Sequence, residues 1–218
     1  MVNVIVRGLN RVGRSFPWNH SEHYHRWILR NLPQRRGPAL EVGCGTGLLV
    51  QRLSGQFDQA VGIEPDEGML IAARSRLAGI GKARVEQLRL AEVAPPPPGF
   101  DLVTMVASLH HQSLEPALQE ARRVLAPGGR LLIVGLWDVQ LRDPVDLALT
   151  LATWLADPVV GFLKHPRGPR PPKYDPGMPL STPHEAWPEL KAAFAKELPG
   201  SSARRRLFFR YTVSWDKP

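Results

Sequence analysis

"LEVGCGTGLLVQRL", residues 40–53, sets three glycines among small residues, directly after an apolar run and directly before an amphipathic one. That pattern reads as a strand, a turn whose backbone comes close to a ligand, and a helix. A dinucleotide fingerprint spaces its glycines G-x-G-x-x-G and points the helix N-terminus at a pyrophosphate. Gly43, Gly45 and Gly47 leave the last interval one residue short, and Leu48 stands where the third glycine would fall. Glu41 lies at the strand end, where a carboxylate repels a pyrophosphate and suits an ammonium or sulfonium group. Glu64 closes the next apolar run, where a carboxylate accepts from both hydroxyls of a ribose and excludes a 2′-phosphate. An adenosine with a cationic tail fits this loop better than a dinucleotide.

Outward from the loop, apolar runs and helical patterns alternate. Strands are expected at 39–43, 59–64, 83–90, 100–108 and 130–137, with helix-length segments between them. "LEPALQEARRVLAPGG" reads as a helix with a Pro-Gly-Gly stop. Such alternation implies right-handed crossovers and a parallel sheet covered on both faces. The expected fold is therefore α/β: a Rossmann-like, doubly wound, mostly parallel sheet. An N-terminal helix, "HSEHYHRWILRNLP", is expected to end at Pro33, and a helical cap insertion to follow the fifth strand. Residues 1–36 are expected to form an N-terminal segment, 37–218 the main domain, and 138–200 within it the cap region. Within the cap, 143–163 reads as a helix broken near Pro158, and "HPRGPRPPKYDPGMP" as a proline-stiffened loop. A further helix is expected to start with Thr182 as its cap, Pro183 in the first turn and Glu185 at the capping-box position. "RRRLFFRYTVSW" reads as one long strand or a tight pair.

Composition bounds the function. The 218 residues suit one elaborated domain, and 43% hydrophobic with 22% charged residues is ordinary for a globular chain. A single cysteine, Cys44, excludes an internal disulfide framework and makes a reducing compartment, the cytoplasm, the expectation. No apolar stretch approaches the ~20 uncharged residues of a membrane span, so no membrane partner is expected. The opening "MVNVIVRGLNRVGRS" lacks the apolar core of a secretory signal and reads as a frayed terminus, or as a short organelle presequence. The net charge of +8 is unevenly placed. Residues 1–36 carry seven Arg against one Glu, 37–163 ten Lys/Arg against fourteen Asp/Glu, and 164–218 eleven against five. Basic flanks around an acidic middle could steer an anionic substrate. They do not make a nucleic-acid footprint, so nucleic acid is not an expected partner.

"LEVGCGTG", "VGIEPDEGMLIAAR", "FDLVTMVASLHH" and "EARRVLAPGGRLLIV", in this order over residues 39–135, resemble the class I S-adenosylmethionine-dependent methyltransferases. The likeness is to the small-molecule branch that includes the menaquinone and ubiquinone methyltransferases. It implies S-adenosylmethionine as cofactor. Gly43, Gly45 and Gly47 would approach its methionine and ribose, with Glu41 beside the amino-acid end. Glu64 would bind the ribose hydroxyls, Pro65 and Met69 flank adenine, and Ala91 and Glu92 edge the ring. The family usually carries Asp just before that Ala-Glu pair. Leu90 stands there in this chain, which leaves Glu92 or the backbone to read the adenine edge.

Methyl transfer from a sulfonium is an in-line displacement, so the protein supplies alignment and desolvation, and a base only where the acceptor must lose a proton. No metal site is expected: His110 and His111 are adjacent and cannot both face one site from an extended segment. His110, following the fourth strand, and Tyr24 and His25 are the catalytic candidates, the last two lying in the N-terminal segment 1–36 that the resembling enzymes use as a lid, with 138–200 as the substrate region. Trp18 and Trp27 read as apolar walls or as the helix's core face, and Trp137 as a pocket wall. Trp154 and Phe162 read as the cap's own core. The expected activity is methylation of O, N or C on a small organic molecule by a monomer or homodimer. The alternatives are an RNA or protein methyltransferase, or a catalytically inactive cofactor-binding subunit.

Overall fold

Short β-rich runs separated by helix-length segments leave the chain few ways to bury its apolar faces, and the computed structural model, which describes residues 20–164 and 182–218, adopts the expected one. The strands are β1 (Pro38–Val42), β2 (Gln59–Ile63), β3 (Ala83–Glu86), β4 (Phe100–Val106), β5 (Leu125–Gly135), β6 (Ser202–Arg206) and β7 (Arg210–Asp216). They form one sheet in the order β3-β2-β1-β4-β5-β7-β6. The first five run parallel, with Leu40 opposite Val61 and Val103 opposite Leu131. β7 lies antiparallel between β5 and β6, so "RRRLFFRYTVSW" is a tight pair rather than one strand.

The helices are α1 (His20–Arg30), α2 (Leu48–Ser54), α3 (Glu67–Leu77), α4 (Leu114–Val124), α5 (Pro144–Lys164) and α6 (Trp187–Glu197). Alternate residues of one strand point to opposite faces, and β5 shows the consequence. Leu131 and Ile133 pack with Leu118 and Ala121 of α4 and with Leu190 and Phe194 of α6. Leu132 and Val134 join a second cluster with Ile28 of α1 and Leu49 and Leu53 of α2. Both faces are covered, as a parallel sheet requires.

Three expectations change. α6 starts at Trp187 with Ala186 as its cap, four residues past the expected cap Thr182, because the backbone at 185–186 is already used: Asp138 N–H donates to the Glu185 carbonyl at 2.9 Å, in a bridge pairing Asp138 with Ala186. The start chemistry recurs downstream, with Pro188 in the first turn and the Glu189 carboxylate accepting the Ala186 N–H at 2.8 Å. α5 runs through Pro158 without a break. Its span Pro144–Leu163 is also long and apolar enough to cross a membrane by length and composition alone, contrary to the expectation that no stretch approaches that length, because its few charges are spaced along the helix. The first nineteen residues of the lid segment, Trp18 among them, and the proline-rich loop at 165–179 lie outside the described residues.

Candidate functional site

The chain leaves β1 towards β2 and β3 on one side, then returns to build β4 and β5 on the other. Open α/β sheets bind ligands at such a switch point, beyond the carboxyl ends of the strands. A cavity of about 820 Å³ lies there, walled by the residues after β1, β2 and β4 and roofed by Ser21, Glu22 and His25 of α1. Gly43 has to be glycine: its φ is +69°, and a Cβ would come within 2.6 Å of the Ser108 Cβ beyond β4. Gly45 lines the cavity, and an added Cβ there would meet nothing within 4 Å, so backbone is presented to open space. Gly47 does not line the cavity, contrary to its expected approach to the cofactor. At φ +75° it starts α2, and its missing side chain lets Ala73 of α3 close to 3.2 Å of the Cβ position.

Two carboxylates face this cradle. Glu41 is fully buried and accepts the Val50 backbone N–H, one of the unpaired donors in the first turn of α2. Its Oε2 has no hydrogen-bond partner among the described residues. Burial first, and Glu64 nearby, push its carboxyl well above the usual range. A buried carboxyl with an unanswered oxygen in a cavity is ready for a cationic partner. Glu64 joins two loops: Oε2 accepts the Gly45 N–H at 2.8 Å and Oε1 the Asp66 N–H at 3.1 Å. Each oxygen keeps a second lone pair for a hydroxyl donor.

Pro65, Met69 and Ala91 line the cavity where an adenine wall was expected. Glu92 does not. Its Oε2 accepts the Arg89 backbone N–H at 2.6 Å and closes a single 3₁₀ turn, Leu90–Glu92, on itself. Leu90 and Arg89 both reach the cavity. Arg89, Ser108, Leu136 and Arg210 were missed from sequence. Each follows or opens a strand at the cavity end of the sheet, but Arg210 is brought there by β7, whose position only the antiparallel pairing reveals.

At the acceptor side His110 and His111 both line the cavity, their rings 4.1 Å apart. The expectation that they cannot share a site assumed an extended segment, whereas Leu109–His111 is a 3₁₀ turn that carries both rings the same way. Burial, then His111 and Arg210, lower His110 to about 4, and its Nδ1 has no hydrogen-bond partner among the described residues. His25 lines the roof, and burial, with Arg52 beside it, lowers it to about 3. Arg52 donates to His25 Nδ1 at 3.0 Å, so that nitrogen is the acceptor of a neutral ring. Tyr24 does not line the cavity. Its hydroxyl donates to the Leu207 carbonyl at 2.8 Å, and burial pushes it up to about 12, so it holds α1 to the turn between β6 and β7. Trp27 packs partly buried against the core beside α1. Trp137 is buried and donates to Asp146, leaving Leu136 as the cavity wall, while Phe162 is exposed and Trp154 half-buried. Among the described residues no three His, Cys, Asp or Glu are placed to hold a metal ion.

The comparisons with known proteins agree with this geometry. Residues 39–129 match the family model described as a methyltransferase domain. An uncharacterized methyltransferase of Mycobacterium tuberculosis is 31% identical over 204 residues, 93% of this chain and 98% of that protein. A ubiquinone/menaquinone biosynthesis C-methyltransferase of Burkholderia cenocepacia is 32% identical over 127 residues, 54% of this chain and 52% of that protein. In fold, the chain is similar to the magnesium protoporphyrin IX methyltransferase of Synechocystis with bound S-adenosylhomocysteine. The TM-score is 0.55 at 16% identity, covering 91% of this chain and 81% of that one.

Proposed function

Because the chain belongs to the class I S-adenosylmethionine-dependent methyltransferases, we propose that its acceptor is a small organic molecule, methylated at O, N or C. The enzyme class and the methyl donor follow from the family, and the residues present suit that donor. Glu41 offers an unanswered buried carboxyl oxygen to a cationic amino-acid end, Gly43 and Gly45 offer bare backbone, and Glu64 offers acceptors for ribose hydroxyls. When bound, the donor supplies a methyl group on a positively charged sulfur, already activated for displacement.

The observation that carries the small-molecule reading is the shape of the site. A cavity of about 820 Å³ falls within the ~300–1,000 Å³ range of small-molecule pockets. The roof of α1 limits it to an acceptor that can enter, not a folded macromolecule lying across an open face. The chain's part in the reaction is to hold the acceptor in line, keep water out, and receive or orient one proton. His110, neutral above about 4 and with a bare Nδ1, can accept a hydrogen bond from an acceptor hydroxyl or amine. The lone thiol Cys44 is buried beside the loop, and burial raises it away from reactivity. This suits action in the reducing cytoplasm.

The test supplies methyl-labelled S-adenosylmethionine to the full chain with fractionated cell extract. Label in the small-molecule fraction supports the proposal. Label confined to RNA or protein overturns it.

A further inference from the structure

The cavity is divided by charge. Glu41, Glu64 and Asp66 stand on the side proposed for the cationic donor. The wall after β4 carries Ser108, His110 and His111, and its carboxylate, Glu120 of α4, is paired with Arg123 at 2.7 Å. Arg210 joins this wall from the far end of the chain. Tyr211 of β7 pairs with Gly135 of β5, and Val134 of β5 pairs with Val106 of β4. Residue 210 therefore opens its strand at the cavity end of the sheet, two strands from Ser108. Its Nη2 donates to Ser21 Oγ of the roof at 3.3 Å, and its Nη1 donates to the carbonyls of Phe208 and Phe209 at 3.2 and 3.3 Å. The guanidinium is thus held between the β6–β7 turn and α1. Burial, His111 and then Arg210 lower His110, so the guanidinium charge is felt at that ring. Among the described residues, this wall holds one permanent positive charge. The other arginine at the cavity, Arg89, is exposed beside the expected adenine wall, and Glu22 of the roof is exposed as well.

Ser108 points the same way by a separate observation. It is 7% exposed and lines the cavity, and its Oγ has no hydrogen-bond partner among the described residues. A hydroxyl buried in that state is costly until a ligand answers it. A carboxylate only accepts hydrogen bonds, so it can answer the hydroxyl, and the planar guanidinium fork matches its two oxygens. One fixed positive charge suits the single charge of a carboxylate, whereas a phosphate dianion asks for a second cation. A carboxylate gripped by a guanidinium has its lone pairs engaged. It anchors the molecule and leaves another atom to face the methyl group beside His110. We propose that the acceptor is a small carboxylic acid, held at its carboxylate by Arg210 and Ser108. This rests on the small-molecule acceptor proposed for the same cavity and narrows it.

The test starts from an ultrafiltered cell extract, split on an anion exchanger at pH 8 before any enzyme is added. The retained and unretained fractions, and the macromolecules held back by the filter, are each incubated with the full chain and methyl-labelled S-adenosylmethionine. Label is expected from the retained fraction, also after phosphatase treatment of that fraction, and it should resist mild base. Ser108→Ala removes a hydroxyl that no described residue holds. It should raise the amount of retained fraction needed for half-maximal labelling about three- to tenfold, with S-adenosylhomocysteine affinity unchanged. Arg210→Gln should raise that amount by at least about tenfold, and Arg210→Lys should recover part of the loss. Label from the unretained fraction alone would overturn the proposal and leave the small-molecule reading standing. Label confined to the macromolecules would overturn both. The proposal also fails if phosphatase abolishes labelling, which assigns the anion to phosphate, or if mild base releases the label, which makes the carboxylate the methylated group. Weaker S-adenosylhomocysteine binding by Ser108→Ala would give the hydroxyl to the donor and overturn it too.

Discussion

Glu41 serves the fold and the site in opposite senses. In the free protein its raised pKa keeps the carboxyl protonated beyond the usual carboxylate range. A group whose folded pKa lies above its unfolded one stabilises fully below the unfolded value, and loses that contribution as pH rises through the folded value. Glu41→Gln keeps the acceptor for the Val50 N–H and removes the charge that must form. It should raise unfolding stability at pH 8 by roughly 1–3 kcal/mol while weakening binding of the cationic donor. Urea unfolding at pH 5 and pH 8 checks this, and equal curves at pH 8 would contradict it. The histidines carry the other sign. His25 and His110 sit near 3 and 4 against an ordinary 6.5. Their contribution is complete above 6.5 and declines as pH falls, each at up to about 1.4 kcal/mol per pH unit. It follows that kcat/KM should show no limb from His25 or His110 between pH 6 and 8. A limb near 6.5 that disappears in His110→Ala would show that the ring titrates normally, contrary to its burial.

At the scale of elements, α1 is an anchored roof. Ile28 is fully buried in the same cluster as β5 and α2, and the Asn31 carbonyl accepts from Arg130 at 3.0 Å. Ile28→Ala should therefore cost about 2–4 kcal/mol, the usual price of a core cavity. The α1 contact through Tyr24 ends at the turn before β7, where Phe208 and Phe209 hold φ values of 60° and 55°. Such left-handed residues cost about 1–2 kcal/mol each unless packing holds them. Here the buried Phe208 ring stacks on His20 at 5.4 Å, and Thr153 holds its N–H. Tyr24→Phe should lower stability by about 0.5–1.5 kcal/mol and leave kcat within about twofold, because the hydroxyl serves the backbone of Leu207 and not the cavity. A large loss of kcat with unchanged stability would return Tyr24 to the chemistry.

For the whole molecule, the cavity lies where both halves of the sheet meet, so a ligand there ties them together. S-adenosylhomocysteine at about 100 times its Kd should add roughly 2.7 kcal/mol and raise Tm by about 5–10 °C, and NAD should not. Glu64→Ala should remove about 1.5–3 kcal/mol of that binding. It also loses the bridge between the Gly45 and Asp66 backbones, and calorimetry separates the two effects because only binding depends on ligand concentration.

Local chemistry was enough for most of the architecture. Apolar runs of strand length, helix-length spacers and the one-short glycine interval are properties of neighbouring residues. Parallel topology, the Gly43 turn, Glu41 and Glu64 could therefore be read before any coordinate. Contacts between distant residues could not. Gly47 looked like a ligand contact because nothing in its neighbourhood shows Ala73 arriving from α3. Tyr24 looked catalytic because its hydroxyl partner lies 183 residues away, and the two histidines looked incompatible until a 3₁₀ turn replaced an extended segment. The outward side of α5 shows the same limit. Periodicity marks an apolar stripe, but which side of the helix meets the body is settled by Arg205, Trp137 and the Phe208 backbone N–H. Those partners claim the polar side and turn the apolar side out.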